Sequence, residues 1–271
     1  MNRKSFKLAL AQIHLEPGDR DQNLTRAARF IHSAADSAAN IILLPEAFPL
    51  GWMDPSAVTL ADEIPRGSTC RQLATLARDT GAYICSGVIE RCKEKIFNSA
   101  VLINPSGEVI LHHRKINELA IAHDLYSLGD RLAVADTPLG RIGLMICADA
   151  FAPGHAITRA LGLMGAEIIL SPCAWAVPPH HDNTTDPYGS VWINSHTPVC
   201  REFGLWIAGC SNVGPIRTGP WQGHRCIGSS LVLDPTGQIQ LKGSYGESAE
   251  EVLYVDVALR DSARPTGTTP S

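Results

Sequence analysis

Apolar positions along the chain fall into short runs set apart by turn residues, and the runs follow two periods. Strand-like stretches occupy residues 7–13, 41–44, 82–89, 98–103, 140–147, 168–170, 205–209, 229–233 and 252–257. Between several of them the apolar spacing changes to three and four, predicting helices over 23–39, 67–80 and 153–165, the last opening on Pro153. Strands alternating with helices in this way predict an α/β protein whose strands are mostly buried. Two turns add detail. Asn104-Pro-Ser-Gly107 and Asp234-Pro-Thr-Gly237 each separate two apolar runs. Hairpin connections look like this, so the sheets are expected to be mixed.

Composition narrows the class. The chain has 271 residues, 45% hydrophobic and 18% charged, enough to bury one sizeable core. No linker or charge run divides it. One domain over 1–260 is expected, with a polar, proline-bearing tail over 261–271 forming a loose extension. The net charge of -4 gives no reason to expect nucleic acid or an anionic membrane as partner. No apolar run approaches the ~20 residues of a membrane span, and no secretory signal pattern opens the chain. None of the eight cysteines forms a Cys-x-x-Cys pair, so a zinc ribbon or thioredoxin-like motif is not supported. Reduced core cysteines and a cytoplasmic location are expected.

Three polar residues could carry chemistry, two of them at the ends of apolar runs. Cys147 closes the run at 142–146 and leads towards Pro153 and a helix, a placement that exposes a side chain on rigid backbone. Free cysteine is nonetheless most often plain core. Glu46 follows Ile41-Ile-Leu-Leu-Pro45, where an unpaired carboxylate is expensive to bury. Lys115 ends His112-His-Arg-Lys115, a segment equally readable as a solvated edge. Together they can do chemistry. A carboxylate can take the thiol proton and return it to a leaving amine, and an ammonium can stabilise the thiolate and the oxyanion. Such a cysteine should show a depressed pKa and alkylate faster than the other seven. A Cys-His pair is the rival arrangement, with His112, His113, His155 and His224 available. Spacing does not choose between them.

These segments resemble the nitrilase (carbon–nitrogen hydrolase) superfamily. The glutamate lies in Leu43-Leu-Pro-Glu-Ala-Phe48, the lysine in His113-Arg-Lys-Ile116 and the cysteine in Gly143-Leu-Met-Ile-Cys-Ala-Asp149. Further matches are Ala166-Glu-Ile-Ile-Leu-Ser-Pro172, Ser211-Asn-Val-Gly214 and the stretch from Gly228 to Gly237, so the likeness runs from about Lys7 to Val257. The resemblance implies a four-layer αββα sandwich, a homodimer or higher homo-oligomer, and a mechanism without cofactor or metal. It implies Cys147 as nucleophile, Glu46 as general base, Lys115 as stabiliser of the tetrahedral intermediate and the Ala148 N–H as oxyanion donor.

Two departures bear on substrate. Ala122 stands where many relatives have a second glutamate; Glu118 is the nearest replacement and Asp124 a poorer one. Ala148 stands where true nitrilases carry Trp before Glu, which favours a small carboxamide or N-carbamoyl substrate over a nitrile. Trp52 and Trp175 are expected to line the pocket. Residues 176–187 look like a specificity loop, whose His180-His-Asp182 cluster reads as solvated rather than metal-binding. An N-acyltransferase or a non-catalytic binding module on the same fold are the other functions open to such a chain.

Overall fold

The computed structural model describes residues 5–259, so the expected tail over 261–271 lies outside the described residues. The first half of the chain supplies β1 (Ser5–Gln12), β2 (Ile41–Leu43), β3 (Tyr83–Cys92), β4 (Lys95–Ile103) and β5 (Val109–Arg114). Helices α1 (Arg20–Asp36), α2 (Ala57–Leu60) and α3 (Ser68–Thr80) lie between them. The second half supplies β6 (Val134–Thr137), β7 (Gly140–Leu144), β8 (Ile168–Cys173), β9 (Ala176–Val177) and β10 (Trp206–Ser211). It continues with β11 (Val213–Pro215), β12 (Arg225–Ile227), β13 (Leu231–Leu233), β14 (Ile239–Lys242) and β15 (Glu251–Ala258). Its helices are α4 (Ala156–Leu163) and α5 (Ser190–Phe203).

Two six-stranded sheets result, ordered β15-β1-β2-β3-β4-β5 and β14-β13-β10-β8-β7-β6, while β11, β12 and β9 form a small third sheet. The centre of each large sheet is parallel: β1 with β2 and β2 with β3, then β7 with β8 and β8 with β10. Their edges are antiparallel, and both expected hairpins are present, β4 to β5 and β13 to β14.

Period-two alternation sorts the apolar residues into layers. Leu8, Leu10, Ile41 and Leu43 face Ile142, Leu144, Ile168 and Leu170 in a core between the sheets. Their neighbours Ala9, Ala11, Ile42 and Leu44 face the other way, against Leu24, Ala27 and Ile31 of α1 and Leu73 of α3. Ile169 and Ile207 likewise face Leu161 of α4 and Val199 of α5. This is the four-layer αββα sandwich expected.

Differences from the expected elements have local causes. Helix α1 runs three residues earlier than the apolar spacing suggests. Asp19 caps it, accepting the Gln22 N–H at 3.1 Å, and Ala38 at φ 60° ends it in the left-handed region. Helix α4 begins after Pro153 because Gly154 and His155 have φ of 64° and 55°. The strand expected to reach Cys147 stops at Leu144. Helix α5 was not predicted at all: Pro198 lies inside it, and Val191, Ile193, Thr197 and Val199 carry weak helix propensity. Packing of Trp192, Val199 and Cys200 onto the second sheet holds it.

Parallel strands deliver their C-terminal ends to one side of the sandwich, the place where open α/β sheets bind ligands. The two sheets meet there, with the Glu46 N–H donating to the Cys173 carbonyl at 3.2 Å. Gly87 passes directly beneath. A Cβ on it would lie 2.6 Å from the Glu46 Cα and 2.6 Å from the Pro45 carbonyl oxygen. Gly87→Ala is therefore expected to destabilise the fold by about 1–3 kcal/mol, read as an earlier denaturant midpoint at unchanged slope.

Candidate active site

Glu46, Lys115 and Cys147 each leave the C-terminal end of a strand, β2, β5 and β7 respectively, and all three line one cavity. Glu46 and Lys115 are buried, and the Lys115 ammonium donates to Glu46 Oε1 at 2.7 Å. It donates equally to Glu118 Oε1 at 2.8 Å. Asn98 on β4 completes the knot, its amide reaching Glu46 Oε1 at 2.8 Å and Glu118 Oε2 at 2.9 Å. Glu118 thus stands beside the pair, while Ala122 is packed in the core and Asp124 is exposed. The strand carrying Lys115 is anchored in turn, since Arg114 Nε and His112 Nε2 both lie 2.9 Å from the buried Glu90.

Both turns that carry Glu46 and Cys147 contain a left-handed residue that is not glycine. Ala47 has φ 53° and Cys147 itself φ 42°. Such backbone is disfavoured for side-chain-bearing residues and is held here by its surroundings. The Cys147 N–H donates to Ser171 Oγ at 3.2 Å. Asp149, fully buried, accepts the Ile146 N–H at 2.9 Å on one oxygen and the Asn117 N–H at 2.8 Å on the other. His113 Nε2 lies 2.7 Å from the same carboxylate. The turn after Lys115 and the turn bearing Cys147 are therefore fastened to each other through one side chain.

Protonation follows from these contacts. Burial pushes the Glu46 carboxyl up, and although Lys115 pulls it down the net shift is upward. For Lys115 burial opposes the charge, but Glu46 and Glu118 more than offset it and keep the ammonium well above its ordinary range. Cys147 departs from the expectation of a depressed pKa. The neighbouring Cys173 thiol, burial and the Glu46 charge raise it well above the ordinary thiol value, against a smaller effect of Lys115. These surroundings disfavour the thiolate.

The cavity holds about 290 Å³ and its wall is aromatic. Trp52 and Trp175 are in it, as expected, and so is Ala148. Phe151, Tyr188, Trp192 and Trp221 were not foreseen as lining residues. Trp175 stacks on Trp192 with ring centroids 4.7 Å apart, and Trp52 meets Trp221 at 4.8 Å. Among the described residues no histidine lines the cavity. Of the four histidines weighed as partners for a cysteine, His112 engages Glu90, His113 Asp149 and His155 the Ala150 carbonyl, while His224 stacks on Trp221. Asp182 of the adjacent loop caps its own turn, accepting the Thr184 N–H at 2.9 Å and hydroxyl at 2.7 Å.

The carbon–nitrogen hydrolase family model matches residues 7–264, and the chain belongs to that family. A nitrilase from Pyrococcus abyssi is 30% identical, the match covering 93% of this chain and 90% of that one. The omega-amidase NIT2 of Mus musculus is 28% identical over 96% of this chain and 91% of its own. Among solved structures, a carbon–nitrogen hydrolase from Helicobacter pylori G27 superposes with a TM-score of 0.82 at 23% identity, covering 93% of this chain and 89% of that one. An amidase from Nesterenkonia sp. AN1, with the acetamide moiety of fluoroacetamide added covalently at its active-site cysteine, gives 0.81 at 22%, covering 95% and 92%. Among the described residues no helix is long and apolar enough to cross a membrane.

Asp149→Asn is expected to cost about 2–4 kcal/mol at neutral pH, since it leaves buried N–H donors mispaired. Contacts hold the Asp149 carboxyl below the ordinary aspartate range, so its stabilisation is complete above that range. The difference between wild type and variant should shrink as pH falls through the lowered Asp149 pKa, a trend that denaturant unfolding across pH will read.

Proposed function

We propose that the chain is an amidase that hydrolyses a small carboxamide, or an N-carbamoyl compound, through a thioester on Cys147. The observation that carries this reading is the buried Glu46–Lys115 contact of 2.7 Å on the same cavity wall as Cys147. Cys147 Sγ attacks the carbonyl carbon as Glu46 takes the thiol proton, which matches a resting thiol and a carboxyl whose basicity burial has increased. Charge developing on the carbonyl oxygen is met by the Lys115 ammonium and by the Ala148 N–H. Glu46 returns the proton to the nitrogen, and ammonia or an amine departs. Water, deprotonated by Glu46, then attacks the thioester; the C–S bond breaks, the thiol is reprotonated and the carboxylic acid leaves.

Glu118 and Asn98 act through position. By holding Lys115 and Glu46 from the far side, they fix the pair before substrate arrives. The Nesterenkonia amidase, whose active-site cysteine carries the covalently added acetamide moiety of fluoroacetamide, is in keeping with a cysteine that acts as nucleophile. A nitrile is the second reading, favoured by the name of the Pyrococcus relative. The small Ala148, in place of the Trp-Glu pair expected of true nitrilases, weighs against it.

Ammonia release from a panel of amides, ureido compounds and nitriles tests the reading. Cys147→Ala is expected to abolish release, Glu46→Gln to lower kcat by roughly 10²–10⁴-fold and Lys115→Met by roughly 10²–10³-fold. Release that survives Cys147→Ala contradicts the mechanism, and faster turnover of nitriles than of amides would favour the second reading. Alkylation of free Cys147 by iodoacetamide should titrate at a pH above that of an ordinary thiol, because the thiolate is the reactive form and this structure disfavours it.

A further inference from the structure

Resting on the amidase reading above, we propose that the acyl half of the substrate is an uncharged, aryl-bearing group of the arylacetamide class, and that carboxylate-bearing amides are rejected. Among the described residues, every side chain lining the cavity beyond Glu46 and Lys115 is uncharged. Six of them are aromatic: Trp52, Phe151, Trp175, Tyr188, Trp192 and Trp221. The cavity of about 290 Å³ lies just below the ~300–1,000 Å³ typical of ligand clefts, which suits one ring and its amide.

Among the described residues, Lys115 is the one cation that lines the cavity. The Lys115 ammonium is already shared by two carboxylates at 2.7 and 2.8 Å. Arg225, on the segment that follows Trp221, donates to the carbonyls of Pro179 and His181, and Arg217 pairs with Glu16 at 2.8 Å. A charge brought into this wall would lose its hydration without a partner. Burial drives the His196 imidazole, 6.1 Å from Trp192, down to about 3, and raises the Tyr188 phenol.

Two features of the wall could favour other ligands, and the experiment separates them. The indole N–H groups of Trp52 and Trp175 are buried with no hydrogen-bond partner among the described residues, and they could receive an anion. They offer dipoles without a charge. An aromatic wall can also cage a quaternary ammonium, but here rings are turned against each other, Trp175 on Trp192 at an interplanar angle of 25°.

Measure kcat/KM for ammonia release from phenylacetamide, from glutaramate as the carboxylate probe and from glycine betaine amide as the cationic probe. Phenylacetamide should exceed each of the others by roughly a hundredfold or more. A preference for glutaramate or for the betaine amide overturns the assignment and leaves the amidase reading intact. If no amide is turned over, the amidase reading fails, and binding decides the other question. The Cys147→Ala protein should then show quenching of its tryptophan fluorescence by phenylacetamide and none by glutaramate; the reverse overturns the assignment. Val191 lines the cavity and is 49% exposed, so Val191→Arg can supply the missing cation without emptying the core. It should move the glutaramate-to-phenylacetamide ratio at least about tenfold towards the carboxylate, and an unmoved ratio counts against an uncharged wall as the cause of rejection.

Discussion

One ammonium, buried at the seam of two sheets and shared by two carboxylates, is the constraint around which the rest of the molecule is arranged. Removing Lys115, Glu46 and Glu118 from water is unfavourable, and only close, multiply bonded contacts offset it. The fold supplies those contacts at strand ends, where side chains can project into a cavity while their backbone stays in the sheet. Asn98 adds a donor to each carboxylate, and the Glu46 N–H ties the first sheet to the Cys173 carbonyl in the second. A pair set in this way needs little rearrangement when charge develops on a substrate, which is what electrostatic preorganisation requires.

The proposed nucleophile is placed by different means. Cys147 sits in left-handed backbone at φ 42°, kept there by the Ser171 hydroxyl and by the buried Asp149 that grips both neighbouring turns. Its surroundings disfavour the thiolate, so the proposed chemistry begins only when Glu46 takes the proton. This division of labour differs from the pre-formed thiolate of a Cys-His enzyme, and it agrees with a cavity that no histidine lines among the described residues.

Much of this was legible in the sequence, and the reasons are local. Alternation at Leu8-Ala9-Leu10 and Ile41-Ile42-Leu43 marks strands buried on both faces, and the two Asn/Asp-Pro-x-Gly turns mark hairpins. Glu46 and Cys147 stand out because each ends an apolar run, while Lys115, after His112-His-Arg114, gains meaning only from the chemistry it could do with them. Asn98 carried a weaker signal of the same kind, a polar residue within β4, and went unread. The aromatic wall could not be read. Phe151, Tyr188, Trp192 and Trp221 come from separate turns and from helix α5, whose Pro198 and branched residues hide it from a propensity reading. Nor does spacing reveal that His113 serves Asp149 and not the thiol, since only the packed strands bring the two to 2.7 Å.

The central claim is that substrate carbon becomes bonded to Cys147. Its most direct test is intact-protein and peptide mass spectrometry on enzyme acid-quenched during turnover of phenylacetamide or whichever amide of the panel reacts fastest. The account predicts an adduct with the mass of the acyl group, confined to the peptide containing Cys147 and absent from Cys147→Ala. An acyl group on another cysteine, or full turnover by Cys147→Ala, would contradict it.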